Sequence, residues 1–425
     1  MTQFDVLRKD LLEEIKQMPV VDAHEHLPPE SERLQRQLDF FSLFEHYSKY
    51  DLIAAGMPPA TLRMLTERTG SSAERWEAFK PYLSAARTTG YIRAALLVVR
   101  ELLGLPDLDD STYMEVSERL QAVNRPGHYD DILRRRCSIK ALIQCWRFGI
   151  EGAQFPDYFF HLAPSPQLVD LPQKAKVEQV AMQAGVDITN LDTYLAAMEK
   201  IIAKWADHPQ VVGIKSAHAY HRSLDFQRVD KTEAAGLFDR LMNEGKLPPA
   251  AYRRLQDFLM YELVSRAAAV HLPVAFHTGL QAGNYCDVRH SDPLPLQTLI
   301  SNFPQARFDL FHGGMPWVRE IAILAKHFPG VYLNMAWMHI ISPTQSRSAL
   351  SEWLDLVPNT KIFAFGGDYS IVEKVFGHLL MARENVADVL AEKVTRGEYT
   401  HDEALLVARR LFYDNPKEFY RLPID

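Results

Sequence analysis

Pro19-Val20-Val21-Asp22-Ala23-His24-Glu25-His26 is an apolar run that ends in two histidines one residue apart. In an extended strand residues i and i+2 point to the same side. His24 and His26 would therefore present two imidazoles to one point at the strand's end, with Glu25 facing away. Two nitrogens so arranged suit one divalent metal ion. A lone His-x-His is weak, because polar pairs at strand ends are common. Its weight depends on the rest of the chain.

Seven further runs rich in apolar, β-branched and aromatic residues follow, at 138–145, 158–163, 211–217, 273–279, 307–313, 331–337 and 361–368, which with 19–24 makes eight. Amphipathic stretches such as 252–271, 317–328 and 345–356 lie between the later runs and end near Gly or Pro. Strands alternating with helices predict an α/β chain around a parallel sheet. Eight such units predict a (β/α)₈ TIM barrel, whose active site lies at the carboxyl ends of the strands.

The large irregularity separates the first two strands. Residues 28–136 read as several helices, among them 71–82, 91–103 and 112–121, with Pro58-Pro59 and Pro106 as breaks. The expected division is 1–27 for an N-terminal helix and the first strand, 28–136 for a helical insertion, and 137–425 for the rest of the barrel. Because the insertion follows a strand's carboxyl end, it is expected to cap the barrel mouth as a lid. After the last strand, 371–390 and 401–412 read as closing helices.

Composition narrows the function classes. The chain has 425 residues, 47% of them hydrophobic, and a net charge of -7 with both signs interspersed, so no basic stripe for nucleic acid is present. No run approaches the roughly 18 consecutive apolar residues of a membrane span. Residues 1–9 include Asp5 and lack the apolar core of a secretory signal, which makes a cytoplasmic location the expectation. Cys137, Cys145 and Cys286 are few, odd in number and widely spaced, and read as buried or semi-buried thiols rather than a disulfide framework. The expected partner is a small molecule. Barrels of this size often associate as homo-oligomers, but no interface signature is readable.

Ionisable residues close four of the other apolar runs. Lys215 closes Val-Val-Gly-Ile-Lys, His277 closes Pro-Val-Ala-Phe-His, His312 closes Phe-Asp-Leu-Phe-His, and Asp368 closes Phe-Ala-Phe-Gly-Gly-Asp. On a barrel all of these converge on the face that His24 and His26 occupy, which makes a joint metal site the natural reading.

The set His24-x-His26, Lys215, His277, His312 and Asp368 resembles the amidohydrolase superfamily of metal-dependent TIM-barrel enzymes. Phe-His-Gly-Gly-Met-Pro-Trp followed by Gly-Val-Tyr-Leu-Asn is similar to its amidohydrolase-2 branch, and the helical insertion resembles that of uronate isomerases in the same superfamily. The resemblance implies that His24, His26 and Asp368 bind the metal, with His277 as a further ligand or a substrate-orienting residue. His312 is implied as a second ligand or a group that polarises the substrate. It also leaves Lys215 two roles: carbamylated and bridging two metals, or protonated and binding a substrate carboxylate. The expectation here is one Zn²⁺ per chain with a charged Lys215, and two ions if Lys215 is carbamylated.

The chemistry expected is hydrolysis by metal-activated water at a C–O or C–N bond of a small anionic substrate. Asp368 would move the proton while His277 or His312 steadies the developing charge. The same parts serve a uronate-isomerase-like isomerase or a decarboxylating lyase, and a silent metal- or ligand-binding barrel is the reading of a different class. Substrate-binding candidates are Lys215, His218, Tyr220 and Arg222 on or after the fourth strand, Arg289 after the fifth and Trp337 ending the seventh. His271, His327 and His378 fall on helical segments and read as surface residues.

Overall fold

Eight strands pair in parallel, each with the next in chain order: β1 (Val20–Glu25), β2 (Ile139–Cys145), β3 (Phe159–Pro164), β4 (Val211–Ser216), β5 (Val274–His277), β6 (Phe308–Phe311), β7 (Val331–Asn334) and β8 (Ile362–Phe363). The computed structural model describes residues 2–145 and 154–424. Helices surround the strands, and the expected (β/α)₈ barrel is the fold. Among the described residues no helix is long and apolar enough to cross a membrane.

Inside the barrel, alternate residues meet in one apolar cluster: Val21 and Ala23 of β1, Ala141 and Ile143 of β2, Phe160 and Leu162 of β3, with Phe311 of β6 and Phe363 of β8. That is the period-two pattern of a barrel interior. Phe419, Tyr420 and Leu422, at the chain's end, join this cluster, and Tyr420 donates its hydroxyl to Asp309 Oδ2 of β6 at 2.5 Å. Strict alternation from Val21 and Ala23 would turn Glu25 inward. The pairing with β2 shifts register between Asp22 and Glu25, and beyond that irregularity His24 and His26 reach the mouth of the barrel.

The run expected as a strand over 361–368 is a ladder strand only at Ile362–Phe363. Beyond it the backbone pairs with β1 by single bonds, Ala23 N–H to Phe365 O at 3.1 Å and Asp368 N–H to His24 O at 2.8 Å, and these close the barrel. Asp368 itself has φ +58, which no regular strand can contain.

Helices at Ser72–Ala86, Gly90–Leu97 and Tyr113–Ala122 correspond to the three read from the insertion sequence. The first starts at a capping box in which Ser71 and Glu74 satisfy each other's amides. This region has a core of its own, with Phe40 and Phe44 against Phe79 at ring-centroid distances of 5.6 and 4.9 Å. Several bonds tie it to the barrel. Glu373, on the helix Val372–Thr395, accepts from Arg33 and lies 2.9 Å from His128 Nε2. Lys374 donates to Tyr91 O at 2.8 Å and to Ser48 Oγ at 3.1 Å.

The helix Val372–Thr395 packs between the N-terminal helix Gln3–Gln17 and the insertion, so it has little solvent face. His378 is for that reason fully buried, its Nδ1 3.0 Å from Gly367 O, and not the surface residue expected from the sequence; His271 and His327 are exposed. Cys137 and Cys145 are buried as expected, whereas Cys286 lies exposed on the loop after β5.

Candidate active site at the carboxyl ends of the strands

His24, His26, Lys215, His277, His312 and Asp368 all line one small cavity of about 30 Å³, together with Tyr47, Ala217 and Tyr220. Asp368 is its centre. Its Oδ1 lies 3.1 Å from His26 Nε2 and 3.5 Å from His24 Nε2, and its Oδ2 lies 3.5 Å from His312 Nδ1. Burial works to raise this carboxyl, but the facing His24, His26 and His312 outweigh it and hold it well below the usual carboxylate range. Burial likewise keeps His24 neutral, with its pKa well below the ordinary imidazole value. Imidazoles around one carboxylate are the donor set that zinc-type ions take, and the ligand atoms of His24, His312 and Asp368 lie within 4.8 Å of one another.

The partners of the other two histidines point the same way. Ala336 O lies 3.0 Å from His312 Nδ1, and Leu280 O lies 3.0 Å from His277 Nε2. A carbonyl only accepts, so each of these nitrogens carries the hydrogen. Burial pushes the His312 pKa down to about 4 and that of His277 well below its ordinary value, so both rings are neutral. His312 Nε2 and His277 Nδ1 are then left with lone pairs that face each other at 3.0 Å. Two lone pairs repel at that distance unless a cation lies against both, and a divalent ion fits these residues.

His24 has its other nitrogen, Nδ1, 3.0 Å from the Cys145 thiol at the end of β2. That contact fixes the imidazole's orientation and leaves Nε2 for the cavity. His312 and Asp368 adopt positive φ, at +64 and +58, and so does Trp337 at +68. Non-glycine residues in this region are costly and gather where surrounding structure holds them for a purpose.

Lys215 reaches in from β4. Its ammonium is buried, lies 3.5 Å from the centre of the Phe311 ring and has no hydrogen-bond partner among the described residues. Burial lowers its pKa to about 8. Tyr220 also borders the cavity, its ring 4.6 Å from that of His277. The remaining candidates are engaged elsewhere. Arg222 is buried and paired with Asp257 Oδ1 at 2.5 Å, because a guanidinium without solvent needs a carboxylate, and His218 bridges Ser216 and Asp170. Arg289 is exposed on its loop and paired with Asp287. Trp337 packs under Tyr47 with ring centres 4.4 Å apart, outside the cavity lining.

Tyr47 is the residue that sequence reasoning missed. It comes from the insertion, and its hydroxyl donates to Asp368 Oδ1 at 2.6 Å. Nothing in Phe44-Glu45-His46-Tyr47 marks it as a site residue. Only the fold of the insertion over the barrel mouth brings it there.

Comparison with known proteins places the chain. A family model described as amidohydrolase matches residues 185–422, more than half of the chain. Protein fluG of Emericella nidulans is 29% identical over 225 residues, covering 50% of this chain and 26% of that protein. A uronate isomerase of Cutibacterium acnes is 24% identical over 255 residues, 56% of this chain and 53% of that enzyme. The chain thus spans about half, or less, of the length of these curated relatives. In structure, the uronate isomerase of Thermotoga maritima superposes with a TM-score of 0.78 over 98% of this chain and 97% of its own, at 17% identity, a likeness of fold. The chain belongs to the amidohydrolase family, whose members use divalent metals.

Proposed function

We propose that this chain is a metal-dependent isomerase that interconverts the aldehyde and ketone forms of a sugar acid of the uronate class. This is the alternative that the sequence raised beside hydrolysis, and the uronate isomerases among the similar proteins support it over the hydrolase reading. The observation that carries it is the hydrogen bond of Tyr47 to Asp368, a phenol and a carboxylate joined at 2.6 Å inside a buried cavity.

An aldose–ketose conversion moves one hydrogen from the hydroxyl-bearing carbon to the neighbouring carbonyl carbon, and one between their oxygens, consuming no water. Asp368, held as the anion, accepts the carbon-bound proton and returns it to the adjacent carbon. Tyr47, whose hydroxyl burial and the Asp368 charge keep protonated, serves the oxygen atoms. A zinc-type ion held by His24, His26 and Asp368, with His277 and His312 beside it, would draw electron density from the substrate oxygens. Lys215 remains largely an ammonium at neutral pH and grips the substrate carboxylate as a point charge. A cavity of about 30 Å³ holds a water or two rather than a sugar. The insertion that carries Tyr47 therefore acts as a lid that lifts to admit substrate.

One observation favours hydrolysis as a second reading. Lys215 has no hydrogen-bond partner among the described residues and a pKa of about 8, so its neutral amine is accessible for carbamylation, and the facing nitrogens of His277 and His312 suit a second ion. Product mass separates the readings. Zinc-loaded protein is incubated with a panel of hexuronic acids and with the corresponding lactones and amides. Isomerisation leaves the mass unchanged, hydrolysis adds one water, and decarboxylation removes carbon dioxide; either of the latter overturns the proposal.

A further inference from the structure

Three consecutive backbone amides around Asp368 are held by one short piece of β1. Gly367 N–H donates to Asp22 Oδ1 at 3.0 Å, Asp368 N–H to His24 O at 2.8 Å, and Tyr369 N–H to Glu25 Oε2 at 2.7 Å. The same two carboxyl oxygens accept from the histidine side as well: His24 N–H reaches Asp22 Oδ1 at 3.3 Å and His26 N–H reaches Glu25 Oε2 at 3.1 Å. Each carboxyl therefore bridges a backbone amide of the His-x-His strand and one flanking the aspartate.

Both acids are fully buried. Their second oxygens, Asp22 Oδ2 and Glu25 Oε1, have no other hydrogen-bond partner among the described residues and lie over the α-carbon of Gly367. A Cβ at position 367 would come within 1.8 Å of Glu25 Oε1, so glycine alone leaves room for the pair. Two buried carboxyls with no ion pair among the described residues are an expensive way to join two strands, which backbone pairing achieves elsewhere in this barrel without them. What they add is control over where His24, His26 and Asp368 stand relative to one another. They also over-determine the positive φ of Asp368.

We propose that Asp22 and Glu25 are positioning residues that together clamp the histidines of β1 to Asp368, setting the geometry of the metal site without touching the metal. The inference rests on the metal site described above. Hydrogen-bond arithmetic gives it a distinctive signature. Each acid keeps one oxygen on the backbone amides and leaves the other off them, so replacing one acid by its amide preserves the pattern: in Glu25→Gln the amide oxygen still accepts from His26 and Tyr369, and its N–H₂ is free to donate to Asp22. In the double variant Asp22→Asn/Glu25→Gln two donors face each other and the clamp opens, although the side chains keep their size.

The test is Zn²⁺ titration against a chromophoric chelator, with the melting temperature of each metal-free variant recorded alongside. Glu25→Gln is expected to bind zinc within about threefold of wild type. The double variant, and Glu25→Asp, which withdraws the carboxyl from Tyr369 while keeping its charge, are expected to bind about 10–100-fold more weakly. Leu259→Ala, in the buried face of the helix Pro249–Ala269, supplies a destabilised control that should leave zinc affinity unchanged. Wild-type affinity in the double variant and in Glu25→Asp overturns the proposal, as does an equal loss in Leu259→Ala. Wild-type protein that takes up no zinc overturns the metal site itself, and the clamp with it.

Discussion

Tyr47 and Asp368 stand 321 positions apart in the chain and meet in a 2.6 Å hydrogen bond at the floor of the barrel mouth. One comes from the insertion after the first strand, the other from the segment after the eighth. The cavity is thus complete only when the insertion lies over the barrel.

Tyr47→Phe removes the hydroxyl and keeps the ring against Trp337. Turnover is expected to fall about 10²–10⁴-fold, the usual contribution of a positioned proton-transfer group, while zinc content is retained. Stability should change by no more than about 1 kcal/mol. Steady-state kinetics, metal analysis and urea unfolding check the three parts. Chelation of the wild type should abolish turnover, and added zinc should restore it.

Lys215→Met removes the buried cation. Under the isomerase account KM for the sugar acid rises at least about tenfold while zinc stoichiometry stays the same. The wild-type KM should also climb as pH rises through about 8, where the ammonium gives up its proton. A fall from two ions to one in this variant, with wild-type zinc uptake dependent on bicarbonate, would instead favour the hydrolase reading.

Glu373 ties the insertion to the barrel, and its titration has a sign that can be checked. Burial acts to raise its pKa, but the His128 hydrogen bond and the Arg33 charge outweigh that and hold it at about 2, against 4.5 for the free side chain. A folded-state pKa below the unfolded one contributes stability that is fully present above about pH 4.5 and is lost as pH falls toward 2. The contribution is at most about 3 kcal/mol. Glu373→Gln should therefore be less stable than wild type at pH 7, and the gap should narrow between pH 5 and pH 2 in unfolding measurements.

Phe79 is fully buried between Phe40, Phe41 and Phe44 in the insertion's own core. Phe79→Ala is expected to cost about 3–5 kcal/mol. Because this core carries Tyr47, turnover should fall more than zinc affinity does. Equal losses of both would contradict the separation of lid from metal site.

The strand runs, and the cavity-lining residues that follow five of them, were legible because each is a local signal: an apolar run and, at those five, an ionisable residue at its end. Runs 19–24 and 331–337 needed no knowledge of partners. The failures are non-local. Residues 361–368 read as one strand, yet only Ile362–Phe363 pair regularly, because carboxyl groups from β1 take the amides that a ladder would use. Arg222 looked like an anion clamp until its partner Asp257, 35 residues on, was in view. His378 looked exposed because the helix that carries it is enclosed by elements from both ends of the chain. Tyr47 had no local signal at all.

The most direct test of the account is to follow hexuronic acids by NMR with zinc-loaded protein in deuterium oxide. The account predicts that the sugar acid converts to a ketose of the same formula, that solvent deuterium enters at the carbon that receives the proton, and that Tyr47→Phe and Asp368→Asn lose both conversion and exchange. Absence of conversion and exchange across the panel, with a lactone or amide gaining water under the same conditions, would contradict it.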